Sequence, residues 1–319
     1  MSRPVIAVSS CLTGENVRFN GGHKHSPLVT GHLAEHFDIR TVCPEVYAGM
    51  GIPRPAIRLV KRENLIRAEY SSKNLDRGED VTQQLSDASA HLADTLAGFD
   101  GFLLTQKSPS CGIGGVKLYN PNGNPDGSTR GLFAAALSAR YPLVPMEDSG
   151  RMNDAVLREN FIQRVIIHHE WRELNASPLR SKALLDFHTR HKFTVMSHSV
   201  PAYKQLGQML ANLAERSLED VAVEYFKALM KTLAIPATRK CHTNVLQHLQ
   251  GYVKNFMVPK ERQALTDAIE QYRLGHVPLV VPVTLLRCFA HTHASATPYL
   301  NQQSYLQPYP GKLGLRNEI

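Results

Sequence analysis

Apolar residues in the first 150 positions come in short runs of strand length, separated by amphipathic or turn-forming stretches. Val5–Ser9 and Gly101–Thr105 are almost uninterrupted, as expected of strands buried on both faces. Ile39–Val42 and Leu143–Met146 predict two further strands. Between them, Pro27–Phe37, Asp80–Leu96 and Thr129–Arg140 predict helices. Val81, Leu85, Ala88, Leu92 and Leu96 fall along one side of the second. Ala56–Val60 and Leu65–Ala68 alternate in period two, which predicts a hairpin or an extended edge. Asn120–Gly127 is dense in Asn, Pro and Gly and predicts a loop. The alternation implies an α/β unit with a mostly parallel, Rossmann-like sheet covered by helices on both faces.

Beyond residue 150 the spacing turns helical throughout. Asn153–Glu173 predicts a long helix, and Asn175-Ala176-Ser177-Pro178 ends it, with Ser177 as the cap of the next helix and Pro178 at its first position. Helical patterns then cover 179–192, 201–214, 218–234, 239–254, 259–273 and 282–293, and the tail after Pro298 reads as extended. The expected organisation is an α/β unit at 1–150, a linking helix at 151–176 and an all-α unit at 177–319.

Charge separates the halves as sharply as periodicity does. Residues 1–150 carry 15 Lys and Arg against 15 Asp and Glu, whereas residues 151–319 carry 21 against 13, so the net charge of +8 lies wholly in the second half. A neutral unit joined to a basic one suggests that the second binds a polyanion, nucleic acid being the leading partner; a helical unit with a solvated basic face is the plainer alternative. The longest apolar tract, Val277–Ala290, is too short for a membrane span and contains Pro282 and Arg287. No membrane partner is therefore expected, and a cytoplasmic location is. There, five cysteines are expected to be free, metal-bound or catalytic rather than paired.

Three of those cysteines share a placement. Cys11, Cys43 and Cys111 each lie just beyond a predicted strand, and in parallel sheets ligands bind outside the carboxyl ends of the strands. The three thiols are expected to meet and hold a metal centre with one position open. No CxxC pair occurs, which disfavours a zinc ribbon; an iron–sulfur cluster and a three-cysteine zinc site both remain, beside three inert buried cysteines. Glu45, two residues past Cys43 and held by Pro44, is placed to act as a general base for water. Ser108 and Ser110 flank the third cysteine and could hold that water or polarise a substrate, although serine also favours turns. Gly112, Gly114 and Gly115 are expected to let the backbone approach a cofactor closely. Cys241 and Cys288 fall within helical patterns and read as core residues.

These residues also carry a resemblance. Ser10-Cys11-Leu12-Thr13-Gly14 through Asn20-Gly21-Gly22-His23-Lys24, then Cys43-Pro44-Glu45 with Gly49 and Pro53-Arg54-Pro55, then Ser108-Pro109-Ser110-Cys111-Gly112, resemble the TudS desulfidases over about residues 4–148. That resemblance implies a 4Fe-4S cluster held by Cys11, Cys43 and Cys111 with one open iron, Glu45 as acid/base and Ser108 as its assistant. It also implies a thiolated pyrimidine as substrate. Leu185-Asp186-Phe187-His188, Lys192, Met196-Ser197-His198, Tyr203 and Asn244–Tyr252 resemble the helical part of YbgA-like proteins. Together the halves resemble the RudS arrangement, which implies removal of sulfur from 4-thiouridine in tRNA by non-redox hydrolysis. RNA contacts are then expected from His188, Arg190, Lys192, Arg239, Lys240 and Lys254. Two other readings stand beside it: a desulfidase for free thiouracil or thiolated nucleotides, and a cluster-bearing RNA-binding or sensor protein without turnover.

Overall fold

The computed structural model describes residues 2–71, 78–293 and 298–319. It divides into two compact units, Met1–Asn153 and Asp154–Ile319.

The first unit contains two four-stranded sheets. One is parallel throughout, in the order β2–β1–β5–β8, from β1 (Val5–Ser9), β2 (Asp38–Val42), β5 (Gly101–Leu104) and β8 (Met146–Asp148). Ser9 lies opposite Val42, and Val8 opposite Leu103, so the carboxyl ends of three neighbouring strands finish level with one another. All four residues of β5 are buried, which is why its sequence is apolar without alternation. The second sheet, β4–β3–β6–β7, is mixed: β3 (Ile57–Arg62) pairs antiparallel with β4 (Leu65–Tyr70) and parallel with β6 (Val116–Tyr119), and β6 turns back into β7 (Pro125–Thr129).

The amphipathic stretch after residue 80 forms α2 (Thr82–Asp94), preceded by the one-turn α1 (Pro44–Tyr47) and followed by α3 (Leu132–Arg140). Leu92 of α2 joins Phe133 and Leu137 of α3 against Ala7, Phe102 and Leu104 of the parallel sheet. Leu85, two turns earlier on the same side of α2, packs with Leu59, Ala68, Val116 and Leu118 of the mixed sheet. A single helix thus contributes to both cores of this unit.

Several expectations are corrected. The parallel sheet is present as expected, but a second, mixed sheet was not expected; its β7 comes from the Pro125–Thr129 segment, which reads as a loop yet pairs with β6 along a register broken between Lys117 and Tyr119. The helix expected over Pro27–Phe37 is a six-residue π-helical turn, Leu28–Leu33. Ser177 caps nothing: the next helix starts at Ser181 behind Arg180, three residues later than the Ser-Pro pair predicted. The tail is not uniformly extended, since Pro298–Asn301, Gly311–Leu313 and Leu315–Asn317 are short helical turns.

The second unit consists of helices α4 (Ala155–Leu174), α5 (Ser181–His198), α6 (Val200–Ala211), α7 (Leu218–Leu233), α8 (Arg239–Val253), α9 (Pro259–Leu274), α10 (Val280–Thr292) and α11 (Pro298–Asn301). Side-chain caps from Asp154, Ser199, Ser217 and Thr238 satisfy the first amide groups of α4, α6, α7 and α8. The core between α5, α8, α9 and α10 is formed by Phe193, Val245, Leu249, Leu265, Tyr272, Leu286 and their neighbours. No helix among the described residues is long and apolar enough to cross a membrane.

Candidate active site

Three backbone turns at the carboxyl ends of β2, β1 and β5 each carry a cysteine into one cavity of about 230 Å³, lined by Cys11, Cys43 and Cys111 together with Glu45, Thr105 and Ser108. Cys11 follows β1 in a tight turn of buried residues, Ser10–Leu12. Cys43 directly precedes α1, whose first position is Pro44. Cys111 arrives seven residues after β5, at the end of a turn that docks on the start of α3. The amides of Leu132 and Phe133, which no helical carbonyl serves, donate to the carbonyls of Pro109 and Ser110 at 3.1 and 2.9 Å.

The thiols are held by their surroundings and shielded from water. Cys11 Sγ and Thr105 Oγ1 share a hydrogen bond at 2.9 Å, and Thr105 N donates to Ser9 Oγ at 3.0 Å. Burial raises the pKa of Cys11 and Cys43 above the usual thiol value and that of Cys111 well above it. For Cys11 this holds although Thr105, Arg18 and Lys24 pull the other way. The proximity of Cys43 and Cys11 adds to the effect on Cys111, so the three sulfurs sense one another. Thiols kept protonated by burial are poorly suited to nucleophilic attack, whereas a metal displaces their protons and takes soft sulfur donors readily. Three thiols around one cavity, with no fourth cysteine there, fit a cofactor that needs three protein sulfurs.

Glu45 is more constrained than its position in sequence suggested. Oε2 accepts from Nε of Arg54 at 3.0 Å and also from Nη2 of the same guanidinium, and Oε1 accepts from Ser110 Oγ at 2.7 Å. Arg54 is buried and also donates to the carbonyls of Gly51 (3.1 Å) and Val17 (3.0 Å), while its own amide donates to Phe19 O at 2.8 Å. One arginine therefore ties the loop after Cys11 to the loop after Cys43 and fixes the carboxylate between them. Pro53-Arg54-Pro55 predicted only an extended turn. An arginine between two prolines, ten residues past a cysteine turn, was the available signal for this anchor.

The two serines, given one shared role from sequence, make different contacts. Ser108 lines the cavity, but its hydroxyl oxygen accepts from the amides of Ser110 (3.2 Å) and Cys111 (3.1 Å), bracing the cysteine turn. Ser110, fully buried, is the one that reaches Glu45. Gly112 also serves the turn rather than a cofactor: a Cβ there would lie 2.4 Å from Val116 Cγ2 and 2.8 Å from Ser108 O. Cys288 is exposed and Cys241 half-buried, so neither is the core residue their helical spacing suggested.

The residues expected to contact RNA fall into two groups. His188 is hydrogen-bonded to Tyr225 at 3.1 Å, and burial lowers its pKa to about 4, so at neutral pH it offers a phosphate no charge. Arg190 is forked onto Glu170 at 3.1 and 3.2 Å, Arg239 lies over the Tyr272 ring and donates to that residue's carbonyl at 2.6 Å, and Lys192 lies 4.9 Å from the Tyr299 ring centre. Lys240 and Lys254 are exposed. His188 is thus corrected to a structural residue. Trp171, half-buried, is stacked on Phe226 at 4.6 Å and met edge-on by Phe187, so its ring packs against neighbouring aromatic side chains.

Against known proteins, residues 6–149 match the 2-thiouracil desulfurase family and residues 192–310 match a family of proteins of unknown function, DUF1722. The uncharacterized protein YbgA of Escherichia coli (strain K12) is 32% identical over 167 residues, spanning 52% of this chain and 98% of YbgA. The uncharacterized protein YbbK of Bacillus subtilis (strain 168) is 31% identical over 123 residues, spanning 36% of this chain and 77% of YbbK. Among solved structures, a [4Fe-4S]-dependent thiouracil desulfidase, TudS, is 28% identical with a TM-score of 0.37, covering 48% of this chain and 95% of that one. The chain belongs to the family of YbgA, in a two-domain arrangement whose first part, residues 6–149, matches the 2-thiouracil desulfurase family.

Proposed function

We propose that the protein is an iron–sulfur desulfidase that converts 4-thiouridine in tRNA to uridine, releasing sulfide. The observation that carries this reading is the convergence of three cysteines from three adjacent parallel strands on one cavity that also presents a fixed carboxylate. Cys11, Cys43 and Cys111 would hold the cluster. Three soft sulfur donors around one cavity of about 230 Å³ suit a group that binds several thiolates and occupies the space between them. When bound, a 4Fe-4S cluster with one iron free of side-chain ligands supplies a soft acceptor for sulfur and a Lewis acid.

The chain's own residues do the rest. Glu45, oriented by Arg54 and Ser110, takes a proton from the water that adds to the thiocarbonyl carbon. A carboxylate oxygen has two lone pairs, so the hydrogen bonds already made leave capacity for that proton. The carbon–oxygen bond forms, Glu45 passes its proton to the sulfur, and as the carbon–sulfur bond breaks the remaining hydroxyl proton returns to Glu45, giving a carbonyl and hydrogensulfide with no net oxidation. Ser108 holds the cysteine turn in place through its oxygen and keeps its own proton free to donate into the cavity. Burial of the cavity walls excludes bulk water and strengthens each of these contacts. The basic second half supports an RNA substrate, with Lys240 and Lys254 as its free phosphate contacts.

Anaerobically prepared protein is incubated with 4-thiouridine-containing tRNA and, separately, with free 4-thiouracil, following the near-ultraviolet thiocarbonyl band. Loss of the band in tRNA is the expected result. Loss with free thiouracil alone would move the substrate to the free base, and loss in neither would make the protein a cluster-bearing binder without turnover.

A further inference from the structure

Once its proton is displaced, a cysteine sulfur is an acceptor only, and the buried donors around it decide how much charge it passes to a metal. The cavity gives each of its three sulfurs a neutral donor. Thr105 Oγ1 lies 2.9 Å from Cys11 Sγ, and in the thiolate form only the hydroxyl has a proton to give. Ser9 Oγ accepts from Thr105 N at 3.0 Å, which leaves its own proton to be donated elsewhere. Burial dominates the raised pKa of Cys111, and the Ser9 hydroxyl is the hydrogen-bonding side chain that opposes it. At Cys43 burial again raises the pKa, and the amides of Val46 and Glu45 oppose it as hydrogen-bond donors.

Each donor is held there by the fold. Ser9 ends β1 and Thr105 directly follows β5, the neighbouring strand, so two strand tips side by side each finish in a hydroxyl. Both residues are buried, where an unpaired hydroxyl is costly and a thiolate is the acceptor at hand. Glu45 and Val46 stand in the first turn of α1, whose amides have no helical carbonyl to serve. Pro44 before them has no N–H to compete.

Hydrogen bonds to the sulfurs stabilise the more negative, reduced state of a cluster and so raise its reduction potential. A hydrolytic desulfidase can use the same property without any redox step. An iron that receives less charge from its thiolates accepts more from a thiocarbonyl sulfur. Resting on the iron–sulfur reading above, we infer that Thr105 and Ser9, together with the amides of Glu45 and Val46, draw charge off the three cluster thiolates and thereby set the acceptor strength of the open iron. The rival role is packing alone, with the two hydroxyls serving only to seal the buried strand ends.

The test is spectroelectrochemical reduction of the cluster-loaded full chain, since packing alone does not set a potential. Thr105→Val keeps the shape of the side chain and removes its proton. It should make reduction about tenfold less favourable, a fall of about 59 mV for one electron. Ser9→Ala should shift the potential in the same direction, and Thr105→Ser should restore the wild-type value. Thr95→Val, which removes a hydroxyl bonded to the Leu92 carbonyl, should change nothing. Unchanged potentials in both Thr105→Val and Ser9→Ala would overturn the inference. So would loss of the iron absorbance in Thr105→Val that Thr105→Ser does not restore, because that is the packing role. Loss that Thr105→Ser does restore supports it, since the hydroxyl is what the serine returns. A wild type that takes up no iron would overturn this inference together with the desulfidase reading. The potential is read without turnover, so shifted potentials in a protein that desulfurates nothing would refute the enzyme reading and leave this one standing.

Discussion

Both units bury groups capable of chemistry, and they treat them in opposite ways. In the second unit several buried polar side chains pair with one another. Glu159 Oε1 accepts from Arg316 Nε at 3.2 Å and Tyr309 OH at 3.3 Å, Arg316 Nη1 donates to Tyr305 O at 2.6 Å, and Tyr305 OH pairs with His242 at 3.0 Å. His191 is likewise held between Glu170 and Ser304, each at 2.9 Å. In the first unit the three thiols line a cavity, and the carboxylate beside them is clamped at its edge. A titratable group enclosed by partners stabilises a fold; one positioned against a space can act on what enters it. The density of histidines in the second half therefore marks architecture, and the sparser cysteines of the first mark chemistry.

The largest effect that would break this contrast concerns the thiols. Cys→Ala at position 11, 43 or 111 should remove the visible iron absorbance and all turnover while leaving far-ultraviolet circular dichroism unchanged; retained colour in any of the three would show that the sulfur is not a ligand. Next comes the clamp. Glu45→Ala should lower kcat by roughly 100- to 10,000-fold with the colour kept. Arg54→Lys, which loses the fork, should fall in the same direction by less, and a kcat equal to wild type would show that the fork does not orient the carboxylate.

On the other side, Glu159→Ala leaves Arg316 buried without its counter-ion and should cost about 3–5 kcal/mol of stability, read by thermal unfolding, with the iron absorbance intact. A gentler probe is pH. Burial holds the pKa of both His188 and His198 down to about 4, and neighbouring cations reinforce it (Lys192 at the first, Arg164 and Arg316 at the second), while the Ile235 carbonyl opposes it at His198. The folded unit keeps them neutral while the unfolded chain binds protons near pH 6.5. Their contribution is therefore complete above pH 6.5 and lost as pH falls toward 4, on the order of 1–3 kcal/mol per histidine. Unfolding midpoints that do not drop across that window would show these histidines are not buried neutral. The smallest effect is at Lys254: if it meets a phosphate, Lys254→Ala should reduce the salt dependence of tRNA binding by about 0.7 to 0.9 in log–log slope.

Much of this was visible in the chain, and particular residues show where visibility ended. Val5–Ser9 and Gly101–Leu104 were legible because a strand buried on both faces has to be apolar throughout. Pro125–Thr129 was not, because an exposed edge strand puts no demand on its side chains and is defined only by pairing with β6. Ser108 and Ser110 differ by two positions in one turn. Composition gives no way to decide which reaches Glu45 and which braces Cys111.

The sequence by itself determined the two-part organisation, the three cysteine turns and the carboxylate beside one of them, since these follow from local periodicity, net charge and spacing. Only the tertiary structure decided that strands 2, 1 and 5 are neighbours and that Arg54 bridges two of the turns. Those facts depend on long-range pairing. Side chains 37 to 94 residues apart in the chain meet only after the sheet has chosen its order.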